Sequence, residues 1–210
     1  MKAEERRNFD IEAEQWDLNP ERIKLANDVA DAIIMIVKPT KNMDVLDFGC
    51  GTGLVTLRLQ LYVRCIIGVD SSKGMLSVLN DKVARQGFAN VYTQFVDFGK
   101  GVSLTGAFDL IVSSMTVHHV PDTGMLFRMW HQLLKPEGRL YFADLDTEGG
   151  LFHSDNTGVF HFGFDREELK KLLQESGFRD VSDTTAATVV RDVAGAGNKE
   201  LSIFLIGGRR

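Results

Sequence analysis

Short apolar runs alternate with segments of helical spacing along most of this 210-residue chain. That alternation predicts a parallel sheet with helices on both faces. Asn19-Pro20 reads as a helix cap followed by proline in the first turn. Leu25, Val29, Ala32 and Ile36 then mark one face of a helix running to about Val37, and Pro39 stops it. Val45, Leu46 and Phe48 form a first buried strand, and residues 65–70, Cys-Ile-Ile-Gly-Val-Asp, a second. Ser71 or Ser72 caps the next helix, whose apolar face holds Met75, Leu76, Leu79 and Val83. Strands follow at Val91–Val96 and Phe108–Ser113, then a helix from about Pro121 to Leu134, then a fifth strand at Arg139–Leu145.

The last third changes character. Residues 146–164 are glycine-rich with few helix signals, and a connection of that length is more often a lid or binding loop than a simple link. Asp165 then fits an N-cap with Glu168 three residues on, Phe164 and Leu169 fit a hydrophobic staple, and Gly177 fits the C′ position. The final two strands, residues 179–191 and 199–207, flank Gly195-Ala-Gly197-Asn198 and read as a hairpin.

Composition narrows the classes. At 44% hydrophobic and 25% charged the chain is ordinary globular material, of a size for one domain. It has no run of 18 apolar residues that would span a membrane, no apolar leader at Met1-Lys-Ala-Glu-Glu, and no lipidation signal at Arg209-Arg210. Cys50 and Cys65 form no C-x-x-C pair, which suits a reducing cytoplasm. A net charge of −5 without a long basic run disfavours nucleic acid as a partner.

The chemistry concentrates in Asp47-Phe-Gly49-Cys50-Gly51-Thr52-Gly53, where a strand turns through glycines into a helix. Such a corner presents backbone N–H groups to a nucleotide-type ligand. Leu54 stands where a dinucleotide fingerprint needs its third glycine, and no Gly-Lys-Ser/Thr phosphate loop follows. Asp47 suits a cationic ligand better than a pyrophosphate. Asp70, at the end of the second strand, can accept both hydroxyls of a ribose, a device that NAD sites share.

The Asp-x-Gly-x-Gly-x-Gly stretch resembles motif I of the class I S-adenosylmethionine (SAM) methyltransferases. Residues 108–122 resemble the fourth motif of the small-molecule members, Leu133-Leu-Lys-Pro-Glu-Gly-Arg-Leu resembles their fifth, and Trp16-Asp-x-Asn-Pro resembles an N-terminal segment that folds over SAM. The resemblance covers most of the chain. It implies a three-layer α/β fold with a seven-stranded, mostly parallel sheet and an antiparallel final strand. Residues 1–38 would form a helical cover and 146–164 a lid on one domain. It implies SAM as cofactor and S-adenosylhomocysteine as product. Trp16, Asp47, Gly49, Cys50, Gly51, Thr52, Gly53, Asp70, Ser71, Met75, Asp97, Phe98, Ser113 and Met115 would bind the cofactor. Among them, Met75 would cover the adenine, Asp97 would accept its amino group and the Phe98 N–H would meet a ring nitrogen.

The acceptor is less marked. Ser113-Ser-Met-Thr stands where methylases of exocyclic amines carry Asn/Asp-Pro-Pro-aromatic, which points away from those targets and toward a small molecule. His118, His119, His153 and His161 follow the ends of strands four and five, where ligands of open α/β sheets bind, and are the candidate catalytic residues. No fixed ligand spacing marks a metal site, including one built from histidine and Asp155, so none is expected. Two other readings stay open: an NAD-linked oxidoreductase, and a SAM-binding module without its own turnover.

Overall fold

Apolar side chains on alternate positions of the strands fall into two separate clusters, one on each face of a single sheet. In the computed structural model, which describes residues 7–97, 104–193 and 197–210, that sheet has seven strands in the order β3-β2-β1-β4-β5-β7-β6. The strands are β1 (Asp44–Phe48), β2 (Cys65–Asp70), β3 (Val91–Phe95), β4 (Phe108–Ser114), β5 (Leu134–Leu145), β6 (Arg179–Val193) and β7 (Gly197–Arg209). β1 to β5 pair in parallel, and β7 runs antiparallel to both β5 and β6, as the resemblance implied. The helices are α1 (Phe9–Glu12), α2 (Pro20–Val37), α3 (Leu54–Leu59), α4 (Lys73–Gln86), α5 (Thr123–Leu133) and α6 (Arg166–Glu175).

Val45, Ile66, Leu110, Val112 and Leu205 pack with α2 and α3, while Leu46, Phe48, Ile111, Phe142 and Phe204 pack with α5 and α6. Three layers result. The strand order reverses between β1 and β4, and the crevice beyond their C-terminal ends is where such sheets hold ligands.

The caps act as the sequence reads. Asn19 accepts the Glu21 and Arg22 N–H groups, Ser72 accepts that of Met75, and Asp165 accepts those of Glu167 and Glu168. Gly177 has φ 101° after α6. Two expectations shift. The buried side of α2 is Leu25, Ala26, Val29, Ala30, Ile33 and Val37, with Ile36 40% exposed. At 3.6 residues per turn Ala32 falls about 20° outside that stripe, whereas Ile36 falls within its angular span but in the last turn of the helix, where it is left uncovered. β5 begins at Leu134 rather than Arg139, because Pro136-Glu137-Gly138 forms an irregularity within the strand: the register with β4 slips between Phe108 and Leu110, and Glu137 takes φ 63°.

Ser113 is also corrected. Its side chain is buried and its hydroxyl donates to the Phe48 carbonyl at 2.7 Å, so it joins β1 to β4 where the strand order reverses and does not face a ligand. Ser113→Ala should therefore lower the unfolding free energy by about 1–3 kcal/mol, the cost of orphaning a buried acceptor. Urea denaturation measures it, and SAM affinity should stay at the wild-type value.

Candidate active site

β1 delivers the chain into the glycine turn, and β2 holds that turn in place. The Gly49 and Cys50 N–H groups both donate to the Val69 carbonyl, at 2.8 and 3.0 Å. Asp70 accepts from the Gly51 N–H through one oxygen and from the Ser72 N–H through the other, each at 2.8 Å. Burial pushes the Asp70 carboxyl above the ordinary range, and the N–H groups of Ser72, Gly51 and Ser71 oppose that shift. Asp47, fully buried at the end of β1, is pushed up to about 7 by burial and by the neighbouring Asp70 charge, against a hydrogen bond from Thr56.

The three glycines do different work. A Cβ on Gly49 would strike the Thr116 side chain at 2.2 Å, and one on Gly53 would strike Leu79 at 2.3 Å, so both serve close packing. Gly51, at φ 53°, has nothing within 4 Å of its missing Cβ. Only Gly51 leaves its side-chain position open for a ligand.

That opening belongs to a cavity of about 720 Å³. Trp16, Asp47, Gly49, Cys50, Gly51, Thr52, Asp70, Ser71, Met75 and Met115, all among the positions that the resemblance implied for the cofactor, line it. Gly53, Asp97 and Ser113 do not: Gly53 caps α3, Asp97 follows β3, and the Ser113 hydroxyl bonds to β1. Phe98 lies outside the described residues. Met115 carries φ 54°, unusual for a residue with a side chain, and its N–H is held by the Ala143 carbonyl at 2.9 Å.

The N-terminal segment covers this space through polar contacts. Asp10 accepts from the Ser72 hydroxyl at 2.6 Å and the Gly74 N–H at 2.7 Å, and the Thr52 hydroxyl donates to Asp17 at 2.6 Å. Trp16 lies under the Arg22 guanidinium, 3.8 Å from its ring centroid.

The far end is built from histidines. His118 and His119 sit on a 3₁₀ turn after β4 (Val117–His119), and His153 comes from the long loop after β5. His118 Nδ1 lies 2.6 Å from an oxygen of Asp144, which also accepts the backbone N–H groups of His118 and Leu145. Burial alone would raise the Asp144 carboxyl, but His118 and these hydrogen bonds outweigh it and hold it below the usual range. A guanidinium only donates, so the Arg7 contact at 3.3 Å makes His153 Nδ1 an acceptor and places that ring's proton on Nε2. His153 Nε2 then donates across 3.1 Å to the bare Nε2 of His118. His119 Nδ1 donates to the Gly158 carbonyl at 2.7 Å, which leaves its Nε2 bare as well. Burial and the neighbouring His118 depress His119 to about 4, and burial with the adjacent histidines depresses His153 to about 3.

Residues 146–164 are tied down along their length. Glu148 accepts the N–H groups of Gly150, Leu151 and Phe152, and those of Phe160 and His161 donate to the His118 carbonyl. Phe152, His153 and Phe160 reach the cavity, but His161 does not. Its Nε2 donates to the Val120 carbonyl at 3.0 Å, so His161 fastens the loop and is removed from the candidate catalytic set. Asp155 turns back on Thr157. Sequence reasoning missed Arg7, Thr116 and Asp144. Asp144 had a signal, as the lone acid within the apolar run Leu140–Leu145.

The profile of a family described as a methyltransferase domain matches residues 22–183. The chain belongs to the class I SAM-dependent methyltransferases. Among its relatives, an uncharacterized methyltransferase of Schizosaccharomyces pombe is 36% identical over 149 residues, covering 64% of this chain and 52% of that one. The methyltransferase chain thus spans about half the length of the curated relatives it matches. In fold it is similar to the YcgJ protein of Bacillus subtilis, with a TM-score of 0.72 at 17% identity over 87% of this chain and 97% of that one. It is also similar to a phosphoethanolamine N-methyltransferase of Haemonchus contortus solved with phosphomonomethylethanolamine and S-adenosylhomocysteine, with a TM-score of 0.69 at 17% identity over 86% and 52% of the two chains.

The low histidine values make the methyltransferase sensitive to acid. Unfolded histidine titrates near 6.5, so the fold favours neutral rings at positions 119 and 153. Their contribution to stability is complete above about pH 6.5 and is lost as pH falls toward about 4 and about 3. Asp47, raised to about 7, acts in the opposite sense. Comparing wild type with His119→Gln/His153→Gln cancels that term: between pH 6.5 and 5 the melting temperature of the wild type should fall more steeply. Parallel profiles would show that neither ring is held neutral.

Proposed function

We propose that this chain transfers a methyl group from SAM to a small-molecule acceptor held at the histidine end of the cavity. The observation that carries this reading is one continuous space with carboxylates and an open glycine at one end and a histidine cluster at the other. The first end fits the cofactor. Gly51 allows close approach, Asp70 offers its remaining lone pairs to ribose hydroxyls, Met75 offers an apolar surface to adenine, and Asp47 attracts a cation. SAM supplies a methyl group on a positively charged sulfur, ready for in-line displacement.

At the other end the chain positions an acceptor and, where needed, takes its proton. His119 and His153, depressed to about 4 and about 3, do not retain a proton at neutral pH and act as hydrogen-bond partners. His118, with Nδ1 fixed by Asp144, presents Nε2 as the group suited to receive one. Residues 146–164 close this end through Phe152 and Phe160, giving the mixture of apolar wall and few polar points that suits a small ligand. Enclosure beneath this loop and the N-terminal segment favours a metabolite over a macromolecule, as does the small acceptor in the Haemonchus contortus structure. Asp47 and the glycine spacing favour SAM over NAD.

Two glycines with similar backbones provide the test. Gly51 has φ 53° and Gly87 φ 68°, and neither has an atom within 4 Å of a built Cβ, but only Gly51 lines the cavity. Gly51→Val and Gly87→Val should lose similar stability from forcing a β-branched residue to positive φ. By calorimetry only Gly51→Val should lose SAM and S-adenosylhomocysteine binding, by at least about 100-fold, or about 2.7 kcal/mol. Near-native affinity in folded Gly51→Val sinks the cofactor assignment, and tight NADH binding by a wild type that ignores SAM restores the oxidoreductase reading. A panel of small acceptors scored by S-adenosylhomocysteine release separates an enzyme from a binding module.

A further inference from the structure

We propose that His118, His119 and His153 form a three-histidine site for a divalent cation of the zinc type, with its remaining position open to the cavity. The sequence showed no ligand spacing because the ligands come from an adjacent pair on one turn and from a loop residue 35 positions later. Folding brings one ligand nitrogen from each within 4.8 Å of the others. The two Nε2 atoms of His118 and His153 stand 3.1 Å apart. Zinc–nitrogen bonds of about 2.0–2.1 Å at tetrahedral angles require about 3.3–3.4 Å between ligands, so this edge of the site is nearly formed.

The surroundings match those of a metal centre. Asp144 accepts from His118 Nδ1 at 2.6 Å, the carboxylate–histidine arrangement that fixes a ligand's tautomer and raises its basicity. Gly158 does the same for His119 through its carbonyl at 2.7 Å. Both rings thereby keep a bare Nε2. Phe9 stands edge-on to His119 at 5.3 Å and Phe152 edge-on to His153 at 4.8 Å, forming an apolar shell around the cluster. His153 alone must change. To ligate through Nε2 its proton moves to Nδ1, which ends the Arg7 contact, and Arg7 keeps its two hydrogen bonds to Glu12 at 2.7 and 3.0 Å. The open position would take an oxygen or sulfur of the acceptor, and with metal bound this would replace proton transfer to His118 Nε2, whose lone pair the metal occupies; that last role rests on the methyl-transfer reading, whereas the metal site itself does not.

The test is titration of chelator-dialysed full chain with cobalt(II) or zinc(II) alone. One equivalent of cobalt should give the visible d–d bands of a low-symmetry nitrogen site, and zinc should abolish them. His119→Ala and His153→Ala should each remove the bands and weaken zinc by more than the 10- to 100-fold that loss of an outer partner costs. His131→Ala, which alters a histidine on α5 that does not line the cavity, should leave both unchanged. Arg7→Ala should strengthen zinc binding by removing a competing donor and a like charge. Melting curves establish that each variant is folded, and glutamine replaces alanine in any that is not. Wild type without the bands, or folded His119 and His153 variants that retain them, overturns the proposal. SAM calorimetry on the same samples separates the two readings: SAM binding without cobalt bands defeats only the metal site, and cobalt bands without SAM binding defeat only the cofactor assignment.

Discussion

Asp144 is fully buried at the C-terminal end of β5, and an ionised carboxylate there costs several kcal/mol unless its oxygens are occupied. The rest of the site follows from satisfying it. The His118 and Leu145 N–H groups and the His118 ring supply the partners, which fixes the 3₁₀ turn after β4 against β5. With that turn fixed, the His118 carbonyl points where the long loop can use it, and Phe160 and His161 donate to it. The loop in turn carries His153 back to within 3.1 Å of the ring that Asp144 oriented. One buried charge thus sets a tautomer, a turn and the path of a loop.

The opposite wall depends on contacts distant in sequence. Asp10 receives hydrogen bonds from the start of α4, Asp17 receives one from the glycine turn, and Arg7 reaches His153 across 146 positions. The N-terminal segment therefore touches the carboxylate end and the histidine end of the same cavity. Few apolar side chains anchor it: Ile11 and Leu18 are 78% and 72% exposed. A cover held mainly by part-buried polar contacts rather than by core packing belongs to the less stable part of a fold, which suits a segment that admits and releases the proposed ligand.

Periodicity made the strands and helix caps legible, because apolar alternation and capping side chains act within a few residues. Side-chain direction was less legible. Ile36 shares a helical face with Leu25 and Val29, yet in the last turn of α2 it is left 40% exposed. Glycine spacing identified the turn but not the reason for each glycine: Thr116 and Leu79 explain Gly49 and Gly53, and both partners are distant in sequence. The resemblance implies a cofactor contact for Ser113, whereas its hydroxyl satisfies a buried carbonyl. His153 and His161 looked alike in sequence. The contacts separated them, since one ring meets His118 and the other a backbone carbonyl.

The division of charge in the cavity carries an energetic consequence for the proposed reaction. Carboxylates that attract a sulfonium stabilise the ground state, and the positive charge they attract is lost as the methyl leaves. Such attraction improves binding without accelerating transfer. Asp47 limits the conflict, because burial raises its carboxyl to about 7 and leaves it partly neutral at physiological pH. Asp70 limits it differently, with both oxygens already engaged by backbone N–H groups. Acceleration must then come from the acceptor end, where a nucleophile is held close and, if protic, loses its proton. Among the described residues that line the cavity there, the side chain backed by a buried carboxylate is His118. The cost of burying Asp144 is on this reading the energetic price of an oriented group at the acceptor, and the fold meets it with the same hydrogen bonds that build the site.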